Sequence, residues 1–164
     1  MQLGCDLAQG YGIARPMPAA AVAAWLQQYR PAPVWAEWAD TKWDLNDFPL
    51  LVAQYDHQRW VRQVVKSSDG QSALSFPELH DVHGCRFGLW YAGHGSTHYG
   101  HLPEFITLQA LHVRVHAIGP EIVRLNNAGR FAAAKALEPD LLVLQGEMQL
   151  QLIKLQRAVA RLRS

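Results

Sequence analysis

The feature that most constrains the fold of this chain is the spacing of its apolar residues, which recur every three or four positions over three long segments. Such spacing gathers the apolar side chains on one face of an α-helix, whereas a half-buried strand would alternate at every second residue. The segments are residues 38–66, 103–126 and 131–163. No strand pattern of substance occurs anywhere. The spacing therefore predicts an all-α protein.

Turn residues separate the predicted helices. Residues 67–70 (Ser-Ser-Asp-Gly) and 126–129 (Asn-Asn-Ala-Gly) are typical chain turns. Between them, residues 75–78 (Ser-Phe-Pro-Glu) indicate a capped start for a shorter helical element, and residues 93–96 indicate a loop. Kinks are expected at Pro120 and Pro139. We expect three long helices and one shorter element to form an antiparallel four-helix bundle.

The last predicted helix carries a regular apolar seam. Its members are spaced alternately near three and four residues, as in a coiled coil. They are Leu141, Leu144, Met148, Leu152, Leu155, Val159 and Leu162. The seam predicts either a place in the core of the bundle or a contact with a second copy of the chain.

The amino-terminal part predicts a short helix outside the bundle. Proline at positions 16 and 18 opens an alanine-rich run that continues to Tyr29, and prolines are favoured at helix starts. Two prolines, Pro31 and Pro33, end the run and predict a short, stiff linker. We therefore expect a non-bundle segment at residues 1–30, a linker at 31–37 and the bundle at 38–164.

Composition excludes several classes of protein. The net charge is +1 with His neutral, too small to draw the chain onto nucleic acid or an acidic membrane. Cys5 and Cys85 lie far apart and form no disulfide framework, which favours a reducing compartment. No run approaches about 18 apolar residues, so no membrane insertion is predicted. With no signal peptide recognisable at its start, the chain is expected in the cytoplasm.

The histidines invite a search for a metal site, because His is a common zinc ligand and the chain has eight. His112 and His116 are four residues apart in an apolar helix face, where two unpartnered imidazoles are costly to bury. Cys85 offers a thiolate and His57 an imidazole from other elements. Taken singly, each residue has a more common role, such as a buried thiol or a hydrogen-bonded helix histidine.

Two other clusters compete for this role. His80, His83 and Cys85 lie close together in sequence, and His94, His98 and His101 share a glycine-rich stretch. Either can bind a metal from local residues alone. Histidines beside Gly and Ser in a loop are often simply hydrated, so these clusters rank below the first set.

Three blocks of sequence resemble the chemoreceptor zinc-binding domain family, whose pattern is H-x-x-W, then C-x-F-G-x-W, then H-x-x-x-H. The corresponding blocks are His57–Trp60, Cys85–Trp90 and His112–His116, in the same order. The resemblance covers the chain from about residue 38 to its end. It implies a four-helix bundle that dimerises and one Zn²⁺ ion held by His57, Cys85, His112 and His116.

The aromatic residues of these blocks are expected to surround the site. Trp60, Phe87 and Trp90, with Gly88 and Tyr91, are expected to pack beside the ligands and exclude water, which tunes a metal-bound thiolate. Ordinary core packing would place them in nearly the same way.

A second resemblance concerns residues 3–26. The stretch from Leu3 to Tyr11, followed by Arg15-Pro16, resembles the last segment of EAL-type cyclic di-GMP phosphodiesterases. In that family the glutamine of the Q-G-Y motif lies at the active site, and Gln9 matches it. The E-A-L motif, the paired aspartates and the catalytic lysine are absent, so no phosphodiesterase activity is expected from this chain. The resemblance implies an upstream catalytic domain in a longer protein.

The function expected from these resemblances is a regulatory sensor of zinc or of oxidants. The alternative is a purely structural zinc site that stabilises a dimeric bundle. A zinc hydrolase would need a general base, as in H-E-x-x-H, whereas Val113, Arg114 and Val115 separate the two histidines here. Nickel, cobalt or copper can occupy the same kind of ligand set.

Overall fold

The structure is a computed structural model that describes residues 10–36, 43–68 and 81–163. Most of these residues are helical, and no strand occurs among them. The helices are α1 (Ala19–Gln28), α2 (Pro33–Ala36), α3 (Phe48–Ser68), α4 (Arg86–Trp90), α5 (Ser96–Tyr99), α6 (Pro103–Asn127) and α7 (Phe131–Arg163). The all-α prediction is confirmed. None of the described helices is long and apolar enough to span a membrane.

The chain divides into two compact units. The larger comprises residues 46–159, and the smaller comprises the residues up to 45 together with 160–164. In the smaller unit, the ten-residue helix α1 follows Pro18 and ends at Gln28, with Tyr29, where the alanine-rich run was predicted to end, as its C-cap. Helix α2 lies inside the segment predicted as a linker. The proposed domain boundaries remain predictions.

The larger unit is a bundle of four helical elements, namely α3, the α4–α5 segment, α6 and α7. Contacts between distant residues give the directions. Gln151 donates to the carbonyl of Glu104, and Ser68 donates to the carboxylate of Glu138, so α7 runs antiparallel to both α6 and α3. Residues 128–130 form the short turn between α6 and α7. The short turn is consistent with the opposite directions of α6 and α7.

The core of the bundle follows the apolar spacing. Fully buried side chains come from α3, α6 and α7, among them Leu50, Val61, Val64, Leu108, Val115, Ile122, Leu141, Met148 and Leu155. The seam of α7 is buried from Leu141 to Val159, so it contributes to the core. Leu162 differs from the rest of the seam, since its side chain is 57% exposed and lies outside the core.

Two local predictions require correction. Helix α3 begins at Phe48, after a 3₁₀ turn at Leu45–Asp47, and not near residue 38; residues 37–42 lie outside the described part. Residues 93–96 do not form a loop. Tyr91–Gly95 form a π-helical turn between α4 and α5. The glycines at 93 and 95 misled the prediction, because neighbouring aromatic side chains pack on this segment and favour a helix.

Candidate metal centre

Helix α6 supplies the two histidines spaced by four. His112 and His116 are both buried, and their ring centroids are 4.7 Å apart with the ring planes perpendicular. They lie beside the buried Val115 on the face that α6 turns into the bundle. The spacing therefore places two imidazoles one turn apart on one helix face, as the sequence predicted.

Helix α3 supplies His57, which faces both α6 histidines. Its ring centroid lies 5.0 Å from that of His112 and 5.5 Å from that of His116. The Nδ1 atom is 2.8 Å from the carbonyl oxygen of Ala53, one turn earlier. This contact fixes the proton on Nδ1 and leaves Nε2 with its lone pair exposed to the other ligands. Nε2 is buried and has no hydrogen-bond partner among the residues described here.

The fourth residue, Cys85, is held by the start of helix α4. Cys85 is the N-cap of α4, and its Sγ accepts a hydrogen bond from the backbone N–H of Gly88 at 3.1 Å. An N-cap side chain commonly accepts from the third residue of the helix, and a sulfur here takes the role that oxygen usually has. The capping geometry directs Sγ towards α6, where it lies 3.3 Å from Nε2 of His112.

The four side chains form one compact group of donors. One ligand atom from each of His57, Cys85, His112 and His116 lies within 4.8 Å of the other three. In tetrahedral zinc sites, bond lengths of about 2.0–2.3 Å imply ligand separations of roughly 3.3–3.7 Å. The separation of Cys85 from His112 already has this size. Three imidazoles and a thiol, with a buried and unpartnered Nε2 on His57, are a donor set that fits zinc.

Burial controls the protonation of this group. It lowers the pKa of His57 against the opposing effect of the bond to Ala53, and it lowers the pKa of His112 to about 2, assisted by the charges that the other histidines would carry. Burial also raises the pKa of the Cys85 thiol, although the backbone donors of α4 oppose the shift. At neutral pH the imidazoles of His57 and His112 are therefore neutral and the Cys85 thiol is protonated, so a cation that binds the sulfur must displace the thiol proton.

Aromatic rings pack beside the group. The indole of Trp60 lies over the ring of His116, with centroids 4.9 Å apart, and Phe87 makes edge contacts with His57 and His112. Trp90 stacks on the other side of Phe87 at 5.5 Å. Trp60 and Phe87 present apolar surface to the donors and limit access of water to them, and Trp90 packs behind Phe87.

One side of the group opens on a cavity of about 390 Å³. His57, Cys85 and His116 form part of its wall. Arg86 and Asp56, whose side chains lie 3.5 Å apart as an exposed ion pair, also line the cavity. Cys85 is consequently only half-buried, and a small molecule or ion can approach its sulfur from this side.

Comparison with known proteins identifies the segment that carries these residues. Residues 57–123 match the family model of the chemoreceptor zinc-binding domain. The match covers about two fifths of the chain and contains all four residues of the group. No curated protein and no solved structure matches the chain. Residues 57–123 are thus similar to the chemoreceptor zinc-binding domain, and zinc is the cofactor that both the match and the donor group support.

The cluster of His94, His98 and His101 is not among the metal-binding groups of the described residues, and the cluster of His80, His83 and Cys85 is not tested because His80 lies outside them. Within residues 10–36, 43–68 and 81–163, the group above is the one set of three or more His, Cys or acidic residues able to hold a metal. His94 and His98 stack on each other with ring centroids 4.1 Å apart, and the His94 Nε2 is 3.2 Å from the buried carboxylate of Asp47. His80 and the phosphodiesterase-like Gln9 lie outside the described residues.

Two features of the site were not predicted from the sequence. The first is the N-cap role of Cys85, for which the sequence offers no signal, because Cys is not among the residues favoured at that position. The second is the ion pair of Asp56 with Arg86. Each member adjoins a residue of the donor group in sequence, so the pair joins α3 to α4 beside the site.

Proposed function

We propose that His57, Cys85, His112 and His116 bind one zinc ion and that this binding regulates the packing of the bundle. The observation that carries the proposal is the convergence of four donor atoms within 4.8 Å from three helical elements far apart in sequence. Four protein ligands complete a tetrahedral site and leave no open position for a substrate. The donor set therefore favours a regulatory or structural role over catalysis.

The residues of the site couple ion binding to the packing of the helices. His57 is held on α3 by its bond to Ala53, Cys85 is held at the start of α4, and the histidine pair is fixed on α6. A bound zinc ion would supply the positive charge that ionises the thiol and attracts all four donors. Because the donors belong to three elements, drawing them together must tighten α3, α4 and α6 against one another.

Two observations favour a sensor over a permanent structural site. Cys85 is half-buried and opens on the cavity, so its sulfur is accessible to exchange or oxidation. A thiolate that is bound to zinc remains nucleophilic, and its oxidation removes one of the four ligands. The deep burial of His57 and His112 favours the structural alternative, in which the ion is held until the bundle unfolds.

Amide hydrogen exchange with and without zinc tests the proposal. We expect zinc to slow exchange in α3, α4 and α6 around the four ligands while leaving α1 unchanged. Exchange that is identical in both states would contradict a regulatory role. The rate of zinc transfer to a chelator separates the two functions, since a sensor exchanges its ion from the folded state and a structural site releases it only on unfolding.

We further propose the wider context implied by the sequence resemblances. The amino-terminal resemblance supports an upstream EAL-type catalytic domain of a cyclic di-GMP signalling protein, and the zinc-binding family supports a homodimer in the cytoplasm. The exposed apolar residues Val143 and Leu150 of α7 are compatible with a contact between copies. Sedimentation analysis at several concentrations tests the dimer, and a purely monomeric protein would refute it.

A further inference from the structure

Gly119 lies on the same face of α6 as the proposed ligand His116, three residues further along the helix. Glycine destabilises the interior of a helix, so a glycine at this position is best explained by close packing against a neighbouring group. A Cβ atom added at position 119 would lie 2.2 Å from the Cη2 atom of Trp60 and 2.9 and 3.1 Å from two further carbons of the same ring. The indole therefore fills the space that any side chain at this position would occupy.

Trp60 connects that space to the donor group. It follows His57 by three residues on α3, and its ring lies over His116 with centroids 4.9 Å apart and planes 34° from parallel. Its other side lines the cavity beside Cys85. The contact with Gly119 and the contact with His116 are thus made by one rigid ring, and a displacement at the first alters the second.

We propose that Gly119 is a positioning residue for the ligand His116 and acts through the indole of Trp60. The inference rests on the proposed zinc site. Because position 119 has no side chain, the indole of Trp60 packs directly against α6. In this position the indole restricts the orientation of the His116 imidazole. A restricted imidazole loses less freedom when it binds the ion, so the packing raises the affinity for zinc.

The test is a pair of Gly119→Ala variants, one in the wild-type background and one combined with Trp60→Phe. Phenylalanine lacks the outer part of the indole, where the clash arises. Zinc affinity is measured by competition with a chromophoric chelator, and Co²⁺ absorption reports the coordination geometry. Gly146→Ala on α7 is the matched control, because a Cβ there meets nothing within 4 Å.

We expect Gly119→Ala alone to weaken zinc binding about tenfold or more, the size typical of residues that orient metal ligands, and to alter the Co²⁺ spectrum. In the Trp60→Phe background the same alanine should change the affinity less than about threefold. Should Gly119→Ala fail to fold, the double variant should still fold and bind zinc.

Equal losses of zinc affinity in the wild-type and Trp60→Phe backgrounds would overturn the inference. The loss would then come from a change in the backbone before Pro120 and not from the contact with Trp60. No loss in either background, or unfolding of both variants, would overturn it as well. Failure of the wild-type protein to bind zinc is a different result, because it rejects the proposed function on which the inference rests.

Discussion

Replacement of Gly88 by alanine perturbs the site at its most crowded backbone contact. A Cβ at position 88 would lie 1.8 Å from the carbonyl oxygen of Val82 and 3.3 Å from the Sγ of Cys85. Ordinary carbon–oxygen contacts begin at about 3.3 Å, so the start of α4 and the preceding turn must separate by roughly 1.5 Å. No flexible side chain can yield here, because the obstructing atom belongs to the backbone.

The magnitude follows from the groups that must move. Overpacking of this kind costs about 1–3 kcal/mol. The backbone N–H of Gly88 also donates to Cys85, and the displacement draws this donor away from the sulfur. In the metal-free protein the turn can relax, whereas zinc binding requires the sulfur to return. If the whole cost of about 1–3 kcal/mol opposes zinc binding, the affinity for zinc drops by about 5- to 150-fold, since 1.4 kcal/mol corresponds to a factor of ten.

The assay is a chelator competition on Gly88→Ala and on Gly93→Ala, with unfolding by urea measured on the metal-free proteins. Gly93 lies in the adjacent π-helical turn, and an added Cβ there meets nothing within 4 Å. We expect tight binding by the Gly93 variant and at least about fivefold weaker binding by the Gly88 variant. Equal affinities would refute the argument that α4 positions Cys85 through this close approach.

Three further predictions follow from the same geometry. Zinc binding between pH 7.0 and 8.5 should release about one proton per ion, because the raised pKa keeps the Cys85 thiol protonated while His57 and His112 are already neutral. Calorimetry in buffers of different ionisation enthalpy measures the number of protons released. If no proton is released, the Cys85 thiol is not a zinc ligand. Lowering the pH from 7.5 to 5.5 should reduce the unfolding free energy of the metal-free protein by about 1.4 kcal/mol through His112, because this imidazole is protonated in the unfolded state but stays neutral in the folded state. A urea midpoint that does not change with pH would contradict this. Tyr99→Phe should destabilise the bundle by about 1–3 kcal/mol, because it removes the hydroxyl that donates to the buried Asp47 carboxylate at 2.8 Å. Zinc affinity should not change. A loss of affinity equal to that of the Gly88 variant would show that this hydrogen bond and the metal site are coupled.

The sequence was sufficient for the parts of the structure that depend on periodic burial. The three- and four-residue spacing predicted the helices and the apolar seam of α7, although not whether the seam lies in the core, and the spacing of His112 and His116 placed both on one face. Resemblance to a known family supplied the partnership with His57 and Cys85, which local spacing could not provide, because the donors meet only through the packing of three elements.

The sequence was insufficient where tertiary packing overrode local preference. Residues 93–96 contain two glycines and read as a loop, yet Trp90 packs against Gly95 so closely that an added Cβ there would lie 2.8 Å from its ring. The role of Ala53 is equally hidden, because any residue offers a backbone carbonyl. Contacts of this kind depend on how helices approach one another, which periodicity alone does not determine.

X-ray absorption at the zinc edge of the purified, zinc-loaded protein tests the central claim most directly. We predict a first shell of three nitrogen ligands at about 2.0 Å and one sulfur ligand at about 2.3 Å. In Cys85→Ser the sulfur contribution should disappear, and elemental analysis should find no more than one zinc ion per chain in the wild type. A first shell without sulfur, or one unchanged by the Cys85 substitution, would contradict the assignment of the site.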